Sequence, residues 1–165
     1  MEEHTEWSPE LARQKHAEHK AFFKTLRKKR GKHVDALATE IHEEVFEETD
    51  CLRCANCCKT ISPIFKQKDI ERIARHLRMK PAAFMETYLH LDEDGDYVVR
   101  ELPCPFLGHD NYCSIYEVRP KACQGYPHTG KAFRKRLALT LKNTKVCPAT
   151  YRIVETMRER ADELR

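Results

Sequence analysis

The sequence predicts a mainly α fold with a small, irregular α+β portion rich in cysteine. Three observations carry this expectation. Apolar residues recur at helical spacing through much of the first fifty positions and again around residues 70–77 and 148–164. Strand signals are few, with Tyr97-Val98-Val99 the short strand candidate. All eight cysteines lie from position 51 onward, many of them in stretches with little sustained periodicity. The 165 residues give length for a single core, and 41% hydrophobic with 34% charged side chains places the chain outside the disordered range.

Ser8-Pro9-Glu10 supplies an N-cap, a proline at the first helical position and an early acid, so a helix is expected over residues 9–30 with Gly31 as its stop. Val34, Leu37, Ala38, Ile41 and Val45 then mark a second amphipathic helix, with Glu40, Glu43, Glu44, Glu47 and Glu48 between them. Neither helix carries a cysteine. Residues 1–49 are therefore expected to form an accessory helical hairpin and residues 50–165 a cysteine-cluster domain. Lys20, Lys24, Arg27, Lys28, Lys29, Arg30 and Lys32 concentrate positive charge before position 33. With a net charge of +4 for the whole chain, they read as a solvated helix end, where cations suit the dipole, rather than as a nucleic-acid surface. His4, His16, His19, His33 and His42 read as solvated.

Ser62-Pro63-Ile64-Phe65 should be extended, because proline disfavours helix in the residue before it. Ile70, Ile73, Ala74 and Leu77 predict a helix over residues 67–78, and Pro81 opens another through Phe84, Tyr88 and Leu89. Asp92-Glu93-Asp94-Gly95-Asp96 predicts a turn; it lacks the twelve-residue pattern and closing glutamate of a calcium loop. Residues 102–116, punctuated by Pro103, Pro105, Gly108 and Asn111, suit a loop or small hairpin. Arg119-Pro120 can open a helical turn that sets Cys123, with Arg119 meeting backbone carbonyls or a carboxylate. Residues 133–142 fit strand or helix equally, and Pro148 heads a terminal helix over 148–164.

The N-terminus is acidic without an apolar core, and no run reaches the ~18 apolar residues of a membrane span, so the chain reads as cytoplasmic. Disulfides are rare in a reducing compartment, which leaves metal binding or redox chemistry to explain eight cysteines. Cys51-x-x-Cys54-x-x-Cys57-Cys58 places four thiols in eight residues of a polar stretch, and spacings of two residues let a tight turn aim successive sulfurs at one centre. On a helix, Cys51, Cys54 and Cys58 would share a face instead. Cys104, Cys113, Cys123 and Cys147 complete the candidate ligand set, in one cluster, two clusters or two tetrathiolate sites. In any of these the two groups should converge, and the vicinal Cys57 and Cys58 should take different roles. Arg53, Lys59, Arg119, Lys121 and Lys131 could offset thiolate charge, and His109 and His128 lie near the distal cysteines.

Cys51-x-x-Cys54-x-x-Cys57-Cys58, Cys104-Pro105-Phe106-Leu107, Cys113-Ser114-Ile115-Tyr116, Arg119-Pro120, Cys123 and Tyr126-Pro127 together resemble the YkgJ-like CxxCxxCC cysteine-cluster family over about residues 50–150. The resemblance implies a zinc- or iron-chelating domain, often an iron–sulfur protein, and flagellin lysine N-methylases look similar in their cysteine cluster. Three readings follow. Cys51, Cys54 and Cys57 match the opening of a bacterial cluster loop, and Cys104 and Cys147 precede proline, which favours an iron–sulfur cluster of the 4Fe–4S type with an electron-transfer, redox-sensing or redox-enzyme role. The same thiolates suit a zinc-stabilised interaction module. The third reading is a cluster-dependent modifying enzyme. No glycine-rich nucleotide loop, HExxH or GxSxG motif is present, so no catalytic residue is assigned; the partner expected is a protein redox partner or substrate.

Overall fold

Ser8 opens the first helix as expected: its Oγ accepts the Leu11 N–H at 3.0 Å and Pro9 takes the first helical position. The computed structural model describes residues 7–164, so the reading of His4 lies outside the described residues. Helix α1 (Pro9–Gln14) bends at Lys15 into α2 (His16–Lys28). The stop expected at Gly31 falls earlier. Lys29 and Arg30 are extended, and Gly31 instead begins α3 (Gly31–Glu47), so the break needs no left-handed glycine.

The cysteine-rich segment follows as α4 (Cys51–Cys54) and α5 (Asn56–Thr60), then α6 (Gln67–His76) and α7 (Pro81–Tyr88). Leu89 ends α7 and starts a strand. β1 (Leu89–Leu91) pairs antiparallel with β2 (Tyr97–Val99), Leu89 opposite Val99 and Leu91 opposite Tyr97. The turn between them is closed by Asp92, whose Oδ1 accepts the N–H groups of Asp94 and Asp96 at 3.0 and 2.9 Å, and by Gly95 at φ 78°. Phe65 adds a single bridge to Tyr97, consistent with an extended approach through Pro63. Leu107 and Cys113 form another bridge, the small hairpin expected in residues 102–116. After Pro120 comes α8 (Lys121–Gln124). Residues 133–142 resolve into a 3₁₀ turn, Phe133–Arg136, and α9 (Leu137–Asn143); α10 (Pro148–Glu159) follows. The protein is 61% helical with one two-stranded sheet among the described residues, which makes it mainly α.

Two compact units result: the described residues of Met1–Thr49 with those of Pro127–Arg165, and Asp50–Tyr126. The grouping differs from the expected split at residue 50 in its C-terminal part, and burial gives the reason. Val34, Leu37, Ala38, Ile41 and Val45 of α3 are buried against a layer that includes Leu137, Ile153, Val154 and Met157. At about 1.5–3 kcal/mol for each large apolar side chain removed from water, α3 alone could not leave that face bare. His19, expected in solvent, is wholly buried here, with Nε2 2.7 Å from Glu155 and its ring edge-on to Tyr151. His42 is likewise half-buried, 2.8 Å from the Thr129 hydroxyl.

The second unit has its own core: Phe65, Ile70, Ile73, Phe84, Leu89, Val99, Phe106 and Ile115. Phe106 stacks on Phe84 at 6.1 Å and meets Tyr88 at 4.9 Å. Because Phe106 and Ile115 lie two residues after Cys104 and Cys113, this core fixes the backbone that presents those thiols. No helix among the described residues is long and apolar enough to cross a membrane.

Candidate metal centre

The first cysteine group is neither a simple turn nor one continuous helix. Asp50 caps α4 by accepting the Leu52 N–H at 3.1 Å, and the turn closes with Ala55 N–H on the Cys51 carbonyl at 2.8 Å. Ala55 is left-handed, φ 47° and ψ 18°, a conformation that costs a non-glycine residue about 1–2 kcal/mol. This one residue redirects the chain, placing Cys51 and Cys54 in one helical turn and Cys57 and Cys58 in the next.

Cys58 is where the two groups meet. Its carbonyl accepts the Cys104 N–H at 2.8 Å, joining segments distant in sequence. Hydrogen bonding from Cys57 draws the Cys58 thiol down to about 7; burial opposes this and Lys59 assists it. Burial pushes Cys104 up to about 11, and the neighbouring Cys58 and Cys113 push the same way. Cys113 is raised mainly by burial, with Cys58 adding to it. Cys123 is pushed up to about 12 by burial and then by Cys58, Cys104 and Cys113. Cys58, Cys104, Cys113 and Cys123 thus occupy one electrostatic neighbourhood, where a thiolate on one makes ionising the others harder. Among the described residues, no three His, Cys, Asp or Glu side chains are grouped closely enough to hold a single metal ion.

Backbone amides beside two of these cysteines favour their charged form. The Phe106 and Leu107 N–H groups favour the thiolate of Cys104, and the Ile115 N–H favours that of Cys113. Such donors stabilise sulfur carrying negative charge, the form that binds metal. Arg119 acts in the same sense on Cys113 and Cys123. Its Nη1 donates to the Tyr116 carbonyl at 2.7 Å and its guanidinium lies 3.9 Å over the Tyr116 ring, the carbonyl contact expected of it. Lys59 donates to the Cys54 carbonyl at 3.4 Å.

The element carrying Cys123 is set by a residue that sequence reasoning passed over. Asp69 is 3% exposed; it accepts the Lys66 N–H at 3.0 Å, Arg72 Nη2 at 2.7 Å and the Lys121 N–H at 3.1 Å. Burial pushes its carboxyl up, but Arg72 and the two amides outweigh burial and hold it below its ordinary value. Arg72 also donates to the carbonyls of Val118 and Arg119 at 3.2 and 2.8 Å. An acid in the first turn of α6 with an arginine three residues later was the available signal.

Of the remaining candidates, Cys57 stays hydrogen-bonded to its neighbour Cys58. Cys51 is exposed, while Cys54 and Cys57 are partly buried; Asn111 Nδ2 donates to the Arg53 carbonyl at 3.3 Å and ties the distal hairpin to α4. Cys147 belongs to the first unit, at the head of α10, partly buried against that unit's core with its N–H on the Asn143 carbonyl at 2.8 Å. His109 is exposed in the loop before Cys113, and His128, left-handed at φ 65°, lies in the first unit with Lys131.

Comparison with protein-family models matches residues 50–148 to CxxCxxCC, described as "Putative zinc- or iron-chelating domain". No curated protein and no solved structure was found to match the chain.

Proposed function

Because the chain belongs to the CxxCxxCC family of zinc- or iron-chelating domains, we propose that this metal-binding protein holds an iron–sulfur cluster of the 4Fe–4S type and serves electron transfer or redox sensing. Cys58, Cys104, Cys113 and Cys123 form its principal ligand set. Cys51, Cys54 and Cys57 form a second thiolate group, which meets the first where Cys57 is hydrogen-bonded to Cys58. The observation that carries the reading is the neighbourhood Cys58 shares with the three distal thiols, joined by the Cys104 N–H on the Cys58 carbonyl at 2.8 Å. The donor set fits the cofactor: all four are thiols, and their surroundings favour thiolate through amides and Arg119 rather than through a competing carboxylate.

Zinc and a cluster ask different spacings of the same thiolates. Four sulfurs bound to zinc at 2.3 Å lie only about 3.8 Å apart, whereas a cluster binds each cysteine to a different iron and accepts a wider arrangement. Cys104 directly precedes Pro105, as the remote ligand of a cluster loop often precedes proline, and this favours the cluster. When bound, the cluster supplies reversible one-electron exchange. The residues of the chain tune it: backbone amides beside Cys104 and Cys113 favour their thiolates, and Arg119 adds positive charge, both favouring the more reduced and more negative state.

Anaerobic purification tests the proposal. Expected are a broad visible absorption that dithionite bleaches, and iron with a matching amount of acid-labile sulfide. Stoichiometric zinc without sulfide, and no visible band after reconstitution with iron and sulfide, would replace this reading with a zinc-stabilised module.

A further inference from the structure

Outside the cysteine unit, the fold brings together two basic runs that are far apart in sequence. Arg27, Lys28, Lys29, Arg30 and Lys32 span the end of α2 and the start of α3, and all five are exposed. Lys131, Lys135 and Arg136, also exposed, surround the 3₁₀ turn Phe133–Arg136. Phe133 fastens the second run to the first. It is fully buried, edge-on to Phe23 of α2 at 6.2 Å. Arg134 completes the seam: its Nε donates to the Leu26 carbonyl at 3.3 Å, its Nη2 to the Arg27 carbonyl, and its backbone N–H to Asp35 Oδ1 at 2.8 Å. Gly31 lies against the same side chain; a Cβ there would sit 3.4 Å from Arg134 Cδ.

We propose that this seam is a binding surface for the phosphodiester backbone of nucleic acid, used without base recognition. The helix dipole does not account for the charge. Only Arg27 and Lys28 lie in the last turn of α2, whereas Lys32 sits in the first turn of α3, which holds no acid and where a cation opposes the dipole. Among the described residues, none of the eight exposed cations forms an ion pair with a carboxylate, while Arg152, Arg158 and Arg160 of the same unit all do. The glutamates of α3 lie toward its other end, which makes the helix strongly polar along its length and would orient a polyanion at the basic end.

Both runs lack an exposed large apolar side chain, since Phe133 points into the core. A stable protein interface usually has an apolar centre, and firm membrane attachment adds an inserted apolar group or lipid to the attraction of basic residues for anionic headgroups. A phosphate backbone needs neither. Absence of exposed aromatic rings in the runs likewise argues for backbone contact over base stacking. This surface is independent of the metal identity argued above.

The test uses the full-length, metal-loaded protein and fluorescence anisotropy with a 20-base-pair duplex DNA of arbitrary sequence, the same duplex as RNA, and polyglutamate of equal charge. Binding to at least one nucleic acid is expected, with little dependence on sequence. With about five phosphates contacted, affinity falls roughly 500-fold between 50 and 200 mM salt. Lys28→Glu/Lys29→Glu/Lys135→Glu should weaken binding at least 30-fold, and the milder Gln triple variant should weaken it less, both with unchanged metal content. Lys68→Glu/Arg75→Glu/Lys80→Glu, in the second unit, makes the same change in net charge and should have a much smaller effect. No binding at 50 mM salt, equal binding of polyglutamate, or equal losses for the two Glu triple variants would overturn the proposal.

Discussion

Adjacent side chains leave a helical backbone about 100° apart, so Cys57 and Cys58 cannot easily aim at one ion. That much is readable from the sequence. What could not be read is the direction each takes, because the partners of Cys58 are set by a carbonyl contact with Cys104 and by the left-handed turn at Ala55. Alanine gives no local signal for that conformation. Cys58 shares an electrostatic neighbourhood with Cys104, Cys113 and Cys123, and the ligand set proposed above gives a division of labour to test. Cys58→Ser should remove the same fraction of iron and sulfide as Cys104→Ser, Cys113→Ser or Cys123→Ser. Cys51→Ser, Cys54→Ser and Cys57→Ser should remove a different fraction or leave that band intact. Metal and sulfide counts after anaerobic reconstitution distinguish these outcomes, and seven identical losses would refute the partition. At position 55, Ala55→Gly removes the steric cost of the left-handed backbone but frees the unfolded chain, so stability should change by less than about 1 kcal/mol. Ala55→Val should cost more than that and lower metal occupancy, measured by melting and metal analysis, because a β-branched residue resists this conformation.

Most of the helices were legible as elements because their apolar positions repeat at three and four residues, and turns because Asp92 and Gly95 carry their own chemistry. Strand β1 was not legible, since Leu89-His90-Leu91 is three residues long and follows a helix without a break. The joint between α6 and α8 was hidden for another reason: Asp69 and the Lys121 N–H it accepts are 52 residues apart. Replacing Asp69 by Asn keeps the volume but removes the charge that faces Arg72 and two amides. A loss of about 2–3 kcal/mol is expected, read from the urea midpoint, with Cys123-dependent metal occupancy falling alongside it. Linkage gives the pH behaviour. A carboxyl held below its ordinary value contributes stability that is present above its unfolded value of 3.8 and is lost as pH falls through the lower folded value. Wild-type protein should lose this contribution only in that acid range, and Asp69→Asn should not show it.

Which helical faces meet is a property of the whole molecule, and local periodicity does not carry it; the packing of α3 against α10 and the seam between the two basic runs both escaped the sequence for that reason. The two units should respond differently to metal. Removal by chelation should speed amide exchange through residues 50–126 far more than in α2, α3 and α10, whose core contains many apolar side chains and needs no ligand. Equal loss of protection everywhere would show that the units do not separate energetically. The first unit should have its own pH sensitivity. Burial holds the His19 ring below its ordinary value despite Glu155. Its neutral form is favoured in the folded state, so stability falls as pH drops from about 6.5 toward the lowered folded value, by at most about 1.4 kcal/mol per pH unit. His19→Gln should flatten the urea midpoint between pH 7.5 and 5.5. The division into units also bears on synthesis. The N-terminal helices leave the ribosome first, but α9 and α10, which cover the apolar face of α3, emerge only after the entire cysteine unit. Every thiol of residues 51–123 is therefore synthesised before α3 acquires the partners that bury its apolar face, and the cysteine unit can take up metal during translation while the first unit is still incomplete.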